Sequence, residues 1–375
     1  MKKIIAVFAA IVVVIAAAAA VIVLNSGSEN EKGGLYALNA QVISVDMGGI
    51  SATPKMVESI EDLYGQVYGD YVRTGFTIND AKSDTEFWNK YCDYDSVVAS
   101  NPDGSYTVRI EIQSGEREIT LEAEADAMLS MGTIYMTTVY YYLCHKYSEE
   151  PYSDGALGNG DLKEEFQRVI AGGTSLTYVG NQTELGGYFD ADQYLDAGQN
   201  TIGNYDLEKM GQHVKDLADM GRSVILVGSG KSVSDSSYAT IRNVVLTQGG
   251  EEAVLVTATD IKDAFANIEC LGYILGYGEY ANALIEDLQV RLYTVYYSIQ
   301  QRNQNTEGHS VYWEDYSGSS IRATGMSANI MNFMGWDTSL LTNSEIDTEA
   351  LLQEKPDIIV FYTNDTRPMD TKMRV

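Results

Sequence analysis

The stretch whose residue types most invite a chemical reading is Gly228-Ser229-Gly230-Lys231-Ser232. A lysine behind a glycine-rich turn is the chemistry of phosphate cradling. The phosphate-loop pattern needs a further glycine five residues before its Gly-Lys pair, and Ile225 stands there, so that motif is rejected. What remains is a Gly- and Ser-rich turn behind the apolar run Ser223–Val227. Parallel α/β sheets bind ligands at such turns, though a plain turn has the same composition. The three cysteines, Cys92, Cys144 and Cys270, are far apart and form neither a metal-ligand spacing nor a redox pair. Cys270 reads as core, and a Cys92–Cys144 disulfide is left open. His145, His213 and His309 are scattered, which argues against a zinc site built from several imidazoles. No Ser/His/Asp order and no nucleotide loop stands up. The residues therefore name no catalytic group, no resident cofactor and no metal site, and an enzyme is the weakest functional class.

The 375 residues suffice for two or three domains, and 45% hydrophobic content marks a globular chain. Lys+Arg number 25 against 53 Asp+Glu, a formal net charge of −28. Such a surface repels nucleic acid and anionic lipid head groups and suits an extracellular setting. The 27 tyrosines offer flat apolar faces with polar tips, useful for binding and equally useful as core.

Ile4–Leu24 is uncharged and apolar and follows Met1, Lys2 and Lys3. About 21 such residues span a bilayer, and the leading lysines favour a cytoplasmic start with the rest of the chain outside. An uncleaved membrane anchor is the expectation, with a cleaved signal peptide as the competing one. Either way the protein is exported. The stretch 25–34 is a polar linker, and Asn181-Gln-Thr183 and Asn364-Asp-Thr366 are glycosylation sequons that fit export.

The elements that must position any site follow from periodicity. Thr53-Pro54 reads as a helix start leading to an apolar face through Val67. Val108, Ile110 and Ile112, then Ile119, Leu121 and Ala123, alternate on either side of Ser114-Gly115 and predict a hairpin. Met128–Tyr147 reads as a buried strand running into a helix. Leu176–Val179 is a short strand candidate and the stretch 184–189 a loop. Asp206 caps a helix from Leu207 to Met220 that Gly221 ends. Strands are expected at Ser223–Val227, Ala253–Thr257, Ser310–Trp313 and Asp357–Tyr362. Helices are expected at Ile261–Leu275, within Ile321–Gly335 and at Thr348–Lys355, the last capped by Asp347. In Tyr280–Asn303 the residues Ala281, Leu284, Ile285, Leu288, Leu292, Val295 and Ile299 lay one apolar stripe along a helix roughly 35 Å long. Such a rod braces two lobes or packs within a single domain.

A short echo bears on that choice. Asp206-Leu-Glu208 opens a helix leading to SVILV, and Asp347-Thr-Glu349 opens one leading to DIIVF, on opposite sides of the long helix. With Leu271-Gly-Tyr-Ile-Leu-Gly276, the long helix, a Tyr-Trp strand and the run from Asp347 to Val360, the chain resembles the substrate-binding proteins of ABC importers that carry iron–siderophore complexes, haem or cobalamin. The likeness covers roughly residues 124–375 and is tightest from 261 to 362. Upstream, Glu184-Leu-Gly-Gly-Tyr-Phe189 and Gly203–Glu208 match more loosely, with Met220-Gly-Arg-Ser223 where a Pro-Asp is usual. The chain also stops at Val375, soon after the Pro-Asp-Ile-Ile run, where relatives continue.

The resemblance implies an α/β fold: two Rossmann-like lobes joined by one long helix, with an N-terminal membrane anchor and a small α+β extension. The expected domains are 1–33 (anchor or signal plus linker), 34–123 (extension), 124–260 (first lobe), 261–305 (connecting helices) and 306–375 (second lobe, cut short). It places the ligand between lobes, against Tyr188, Ser229 and Lys231 from the first and Trp313, Tyr316 and Arg322 from the second. Trp313 and Tyr316 would stack on a flat ring or chelate, and Arg322 would pair with an anionic group. Glu208 and Glu349 match positions that dock on arginines of the membrane permease, although carboxylates in first turns also suit the helix dipole. The expected partners are thus a permease, a small-molecule metal chelate and, through the anchor, the membrane. The alternative is a cell-surface structural or adhesion protein that reuses the fold without transport.

Overall fold

The computed structural model describes residues 75–147, 159–173, 195–196, 206–230, 233–302, 310–314, 326–338 and 358–361. The expected helix after Pro54, the strand at 176–179, the loop at 184–189, the cap at Asp347 and the apolar run 4–24 lie outside the described residues. Among the described residues no helix is long and apolar enough to cross a membrane.

The chain divides into two compact units. The first takes in Trp88–Ala258 and Lys262–Leu288; the second takes in Thr259–Ile261 and the described residues among Ala6–Phe87 and Gln289–Val375. The described part of the expected extension contributes to both.

The first unit carries two sheets. Strands β1 (Val98–Ser100), β2 (Tyr106–Ile112) and β3 (Gly115–Leu121) form an antiparallel sheet in that order. The expected hairpin is β2–β3, with Ile112 opposite Gly115, whose φ of 120° suits only glycine at the turn. Tyr106, Val108, Ile110 and Ile112 are buried while the residues between them are half-buried, the alternation of a sheet with one covered face.

The second sheet is wholly parallel. Its strands are β4 (Ala127–Ser130), β5 (Ile170–Gly173), β6 (Leu195–Asp196), β7 (Val224–Gly228) and β8 (Glu252–Leu255), in the spatial order β6-β5-β4-β7-β8. Every residue of β4, β7 and β8 is buried, as expected of strands covered on both faces. The crossovers carry α1 (Thr133–Tyr147) and α2 (Gly160–Val169) between β4 and β5, α3 (Leu207–Asp219) before β7, and α4 (Asp235–Thr247) between β7 and β8. Asp206 caps α3 by accepting from Lys209 N at 2.9 Å, and Gly221, at φ +79°, stops it as expected. Four of these elements, α2, α4 and the strands β5 and β6, are absent from the sequence expectation. The serine-rich run Ser232–Ser237 disguises the start of α4, where Ser234 is the cap, accepting from Ser237 N at 3.2 Å.

Helix α5 (Ile261–Ile274) ends at Gly276, φ +75°, and α6 (Gly278–Arg302) follows at once. Its residues Gly278–Leu288 belong to the first unit and Gln289–Arg302 to the second. The close join rests on Gly272: a Cβ there would collide with Ala281 of α6. In the second unit α7 (Ile78–Ser83) opens on a capping box. There Thr77 N donates to Asp80 at 2.7 Å and Asp80 N to Thr77 Oγ1 at 3.4 Å. Phe76 meets Tyr293 and Tyr297 of α6 edge-on, and Phe87 meets Tyr293 and Tyr296 at a tilt, all with ring centroids 5.0 Å apart. Strands β9 (Val311–Glu314) and β10 (Ile358–Phe361) pair in parallel, and α8 (Met326–Phe333) lies between them in sequence.

All three cysteines are buried free thiols, so the Cys92–Cys144 disulfide left open above does not form. Burial pushes the Cys92 and Cys270 thiols up to about 12.

Candidate ligand-binding site

The strand order decides where the first unit can bind something. The chain lays down β4 in the centre, moves outward to β5 and β6, and then returns across β4 to place β7 and β8 on its other side. Crossovers on the two sides of β4 therefore leave in opposite directions, and the gap between β4 and β7 at their carboxyl ends is unfilled by either. Three segments meet there. Met131–Ile134 leaves β4 into α1, Gly228–Gly230 leaves β7, and Val256–Ala258 leaves β8.

Backbone hydrogen bonds hold these exits together. Met131 N donates to Val227 O at 2.8 Å, and Val256 N to Gly228 O at 2.9 Å. Tyr135 OH, from α1, reaches Val256 O at 3.4 Å. Gly228 is packed so closely by Met131 and Leu255 that a Cβ would lie 3.1 Å from Met131 Cβ. Ser229 is exposed, and so is Ile134, at 64% of its surface. The first turn of α1 contains no acidic residue, so its N-terminal amides face no carboxylate from their own helix. A helix start of this kind favours a negatively charged group. The site thus offers an exposed hydroxyl, the amino end of α1 and one apolar side chain.

Ser229 lies at this switch point. Lys231, Tyr188, Tyr316, Arg322 and Glu349 lie outside the described residues. Trp313 is in β9, opposite Val360 of β10. Glu208 is exposed in the first turn of α3. Because α3 ends at Asp219, just before β7 begins, its start must lie on the carboxyl-end side of the sheet. Glu208 and Ser229 therefore belong to the same side of the first unit. Sequence reasoning missed Met131–Ile134; the Ser-Met-Gly break between an apolar run and a helix was its only signal. Among the described residues no group of three or more His, Cys, Asp or Glu could hold a metal ion.

No family model matches the chain, and no curated protein sequence matches it. Solved structures similar to it are periplasmic binding proteins, the class that the sequence resembles. A TroA-like periplasmic binding protein of Xylanimonas cellulosilytica shares 15% identity at a TM-score of 0.45, covering 72% of this chain and 84% of that one. The petrobactin-binding protein YclQ of Bacillus subtilis shares 10% identity at 0.45, covering 71% and 82%. The TroA-like protein FepB of Veillonella parvula shares 18% at 0.42, covering 68% and 69%.

Proposed function

We propose that the protein is an exported substrate-binding protein of an ABC importer. It captures an organic metal chelate, whether ferric siderophore, cobalamin or haem, and presents it to the permease. The observation that supports this most directly is the switch point between β4 and β7. Its exposed Ser229 hydroxyl and the start of α1, whose own first turn carries no acidic residue, suit an anionic chelate, and it is built on the buried strands β4 and β7. The long helix α6 and the parallel pair β9–β10 repeat, after the first unit, the kind of element the resemblance calls for. Trp313, Tyr316 and Arg322, with Tyr188 and Lys231, remain the proposed ligand partners beside Ser229. Glu208 and Glu349 are the proposed docking carboxylates, and the apolar run at the amino terminus is the proposed anchor or signal.

Spectral titration of the purified protein with ferric siderophores, cobalamins and haem tests the reading. Saturable one-to-one binding of one of these, at micromolar dissociation constant or tighter, is the expected result. If none binds, the surface-structural alternative takes its place.

A further inference from the structure

The β2–β3 hairpin lies at three points against the described residues that follow β7. Gln113 N, at the hairpin tip, donates to Val233 O at 2.9 Å. Ser114 Oγ donates to Asp235 Oδ1 at 2.9 Å, and Arg117 forms an ion pair with the same carboxylate in the first turn of α4. Most tellingly, Gly230 is buried directly under the hairpin backbone. A Cβ built there would overlap the carbonyl oxygen of Glu111 and lie 3.0 Å from Leu255 Cβ. The obstacle is main chain of β2, which cannot swing aside as a side chain can. Only glycine lets the two backbones approach this closely.

Gly230 has no positive φ, so its identity is explained by that approach and not by backbone conformation. The arrangement also sorts the forces by size. The Arg117–Asp235 pair is about half exposed on both sides, and such pairs contribute little. The backbone bond from Gln113 adds to it, and the close approach of Gly230 to Glu111 sets how near the two backbones lie. Ser229, one residue before the seat, is exposed and stands at the carboxyl end of β7.

We infer that the β2–β3 hairpin is a positioning strap. By seating Gly230 under Glu111 and holding Val233 and Asp235, it fixes the direction in which Ser229 and the neighbouring amides face the ligand. Gly230 and Gln113 are positioning residues, which act through the loop without touching ligand. This rests on the proposed function, since it concerns the same site.

Two variants test it: Gly230→Ala, which forces the backbones apart, and Gln113→Pro, which deletes the donor to Val233. Arg117→Lys, which keeps the charge, serves as the control. The probe is whichever ferric siderophore, cobalamin or haem the unaltered protein binds. With far-ultraviolet circular dichroism unchanged, both variants should bind it about tenfold more weakly or worse, because a site misplaced by about an ångström loses most of its complementarity. Arg117→Lys should bind as the unaltered protein does. Hydrogen exchange should speed up at Val233, whose amide donates to Gly230 O, in both variants, and at Gln113 in Gly230→Ala, while the amides of β4 and β7 stay protected. Unchanged affinity in the folded variants overturns the strap. Failure of the unaltered protein to bind any probe counts against the proposed function instead. The exchange arm then decides the strap alone, and unchanged exchange at Gln113 and Val233 overturns it.

Discussion

Glu252 opens β8 with its carboxylate sealed inside the first unit, 3% exposed, and Arg242 of α4 meets it with two hydrogen bonds of 2.7 Å, from Nε and Nη2. Its Oε1 also accepts from Ala253 N at 2.9 Å. A charge this deep is tolerable only because the guanidinium fork matches both its oxygens. Arg242→Ala should therefore cost about 3 kcal/mol, most of it the penalty of a stranded carboxylate. The double variant Arg242→Met with Glu252→Gln should recover a large part. Urea denaturation of the three proteins measures this; a single variant as stable as the unaltered protein would show the pair to be ornamental. Nothing in the sequence announced the pair. Glu252 sits beside Ala253 and Val254 in an apolar run, and its partner lies ten residues back on a helix the sequence reading did not find.

At the scale of elements, one carboxylate ties three helices together. Glu165 of α2 accepts from Lys146 Nζ at 2.8 and 3.0 Å and from Tyr277 OH at 2.7 Å, and it also accepts from Tyr147 OH. Tyr277 is the residue between the glycines that end α5 and begin α6, so this network fastens the foot of the long helix to α1 and α2. Burial alone would raise the Glu165 carboxyl, but the hydrogen bonds from Lys146, Tyr147 and Tyr277 outweigh it and hold the group below its ordinary value of 4.5. A carboxylate with a depressed folded pKa contributes stability above its unfolded pKa and loses it as pH falls through the folded one. Glu165→Gln should consequently lower the melting temperature at pH 7, and the gap to the unaltered protein should close as pH drops below about 4. Thermal melts from pH 3 to pH 7 check the sign; a gap that widens in acid would refute it. The glycine break at 276–278 was legible because a helix cannot pass through two glycines cheaply. That Tyr277 points into a carboxylate was not legible, since both residues look like ordinary surface polar positions.

For the whole molecule, the net charge of −28 and the proposed docking carboxylates make one expectation together. Docking of an acidic binding protein on permease arginines should weaken steeply with salt, and charge reversal of Glu208 and Glu349 together should remove it while leaving chelate affinity intact. Binding of the purified protein to permease-containing liposomes at 20 and at 300 mM NaCl reads this directly. Docking that ignores both salt and charge reversal would remove those two residues from the proposal. What the sequence determined by itself was local. Period-two and helical apolar patterns, the Asp206 cap, the Gly221 and Gly276 stops and the hairpin at Ser114-Gly115 each follow from near neighbours, because backbone sterics and one-sided burial act over a few residues. What only the tertiary structure decided was who meets whom: that β4 stands between β5 and β7, and that Glu111 lies over Gly230. Those contacts join residues from about forty to about 120 positions apart, and their selection depends on how buried faces pack, a condition that no short window of sequence contains.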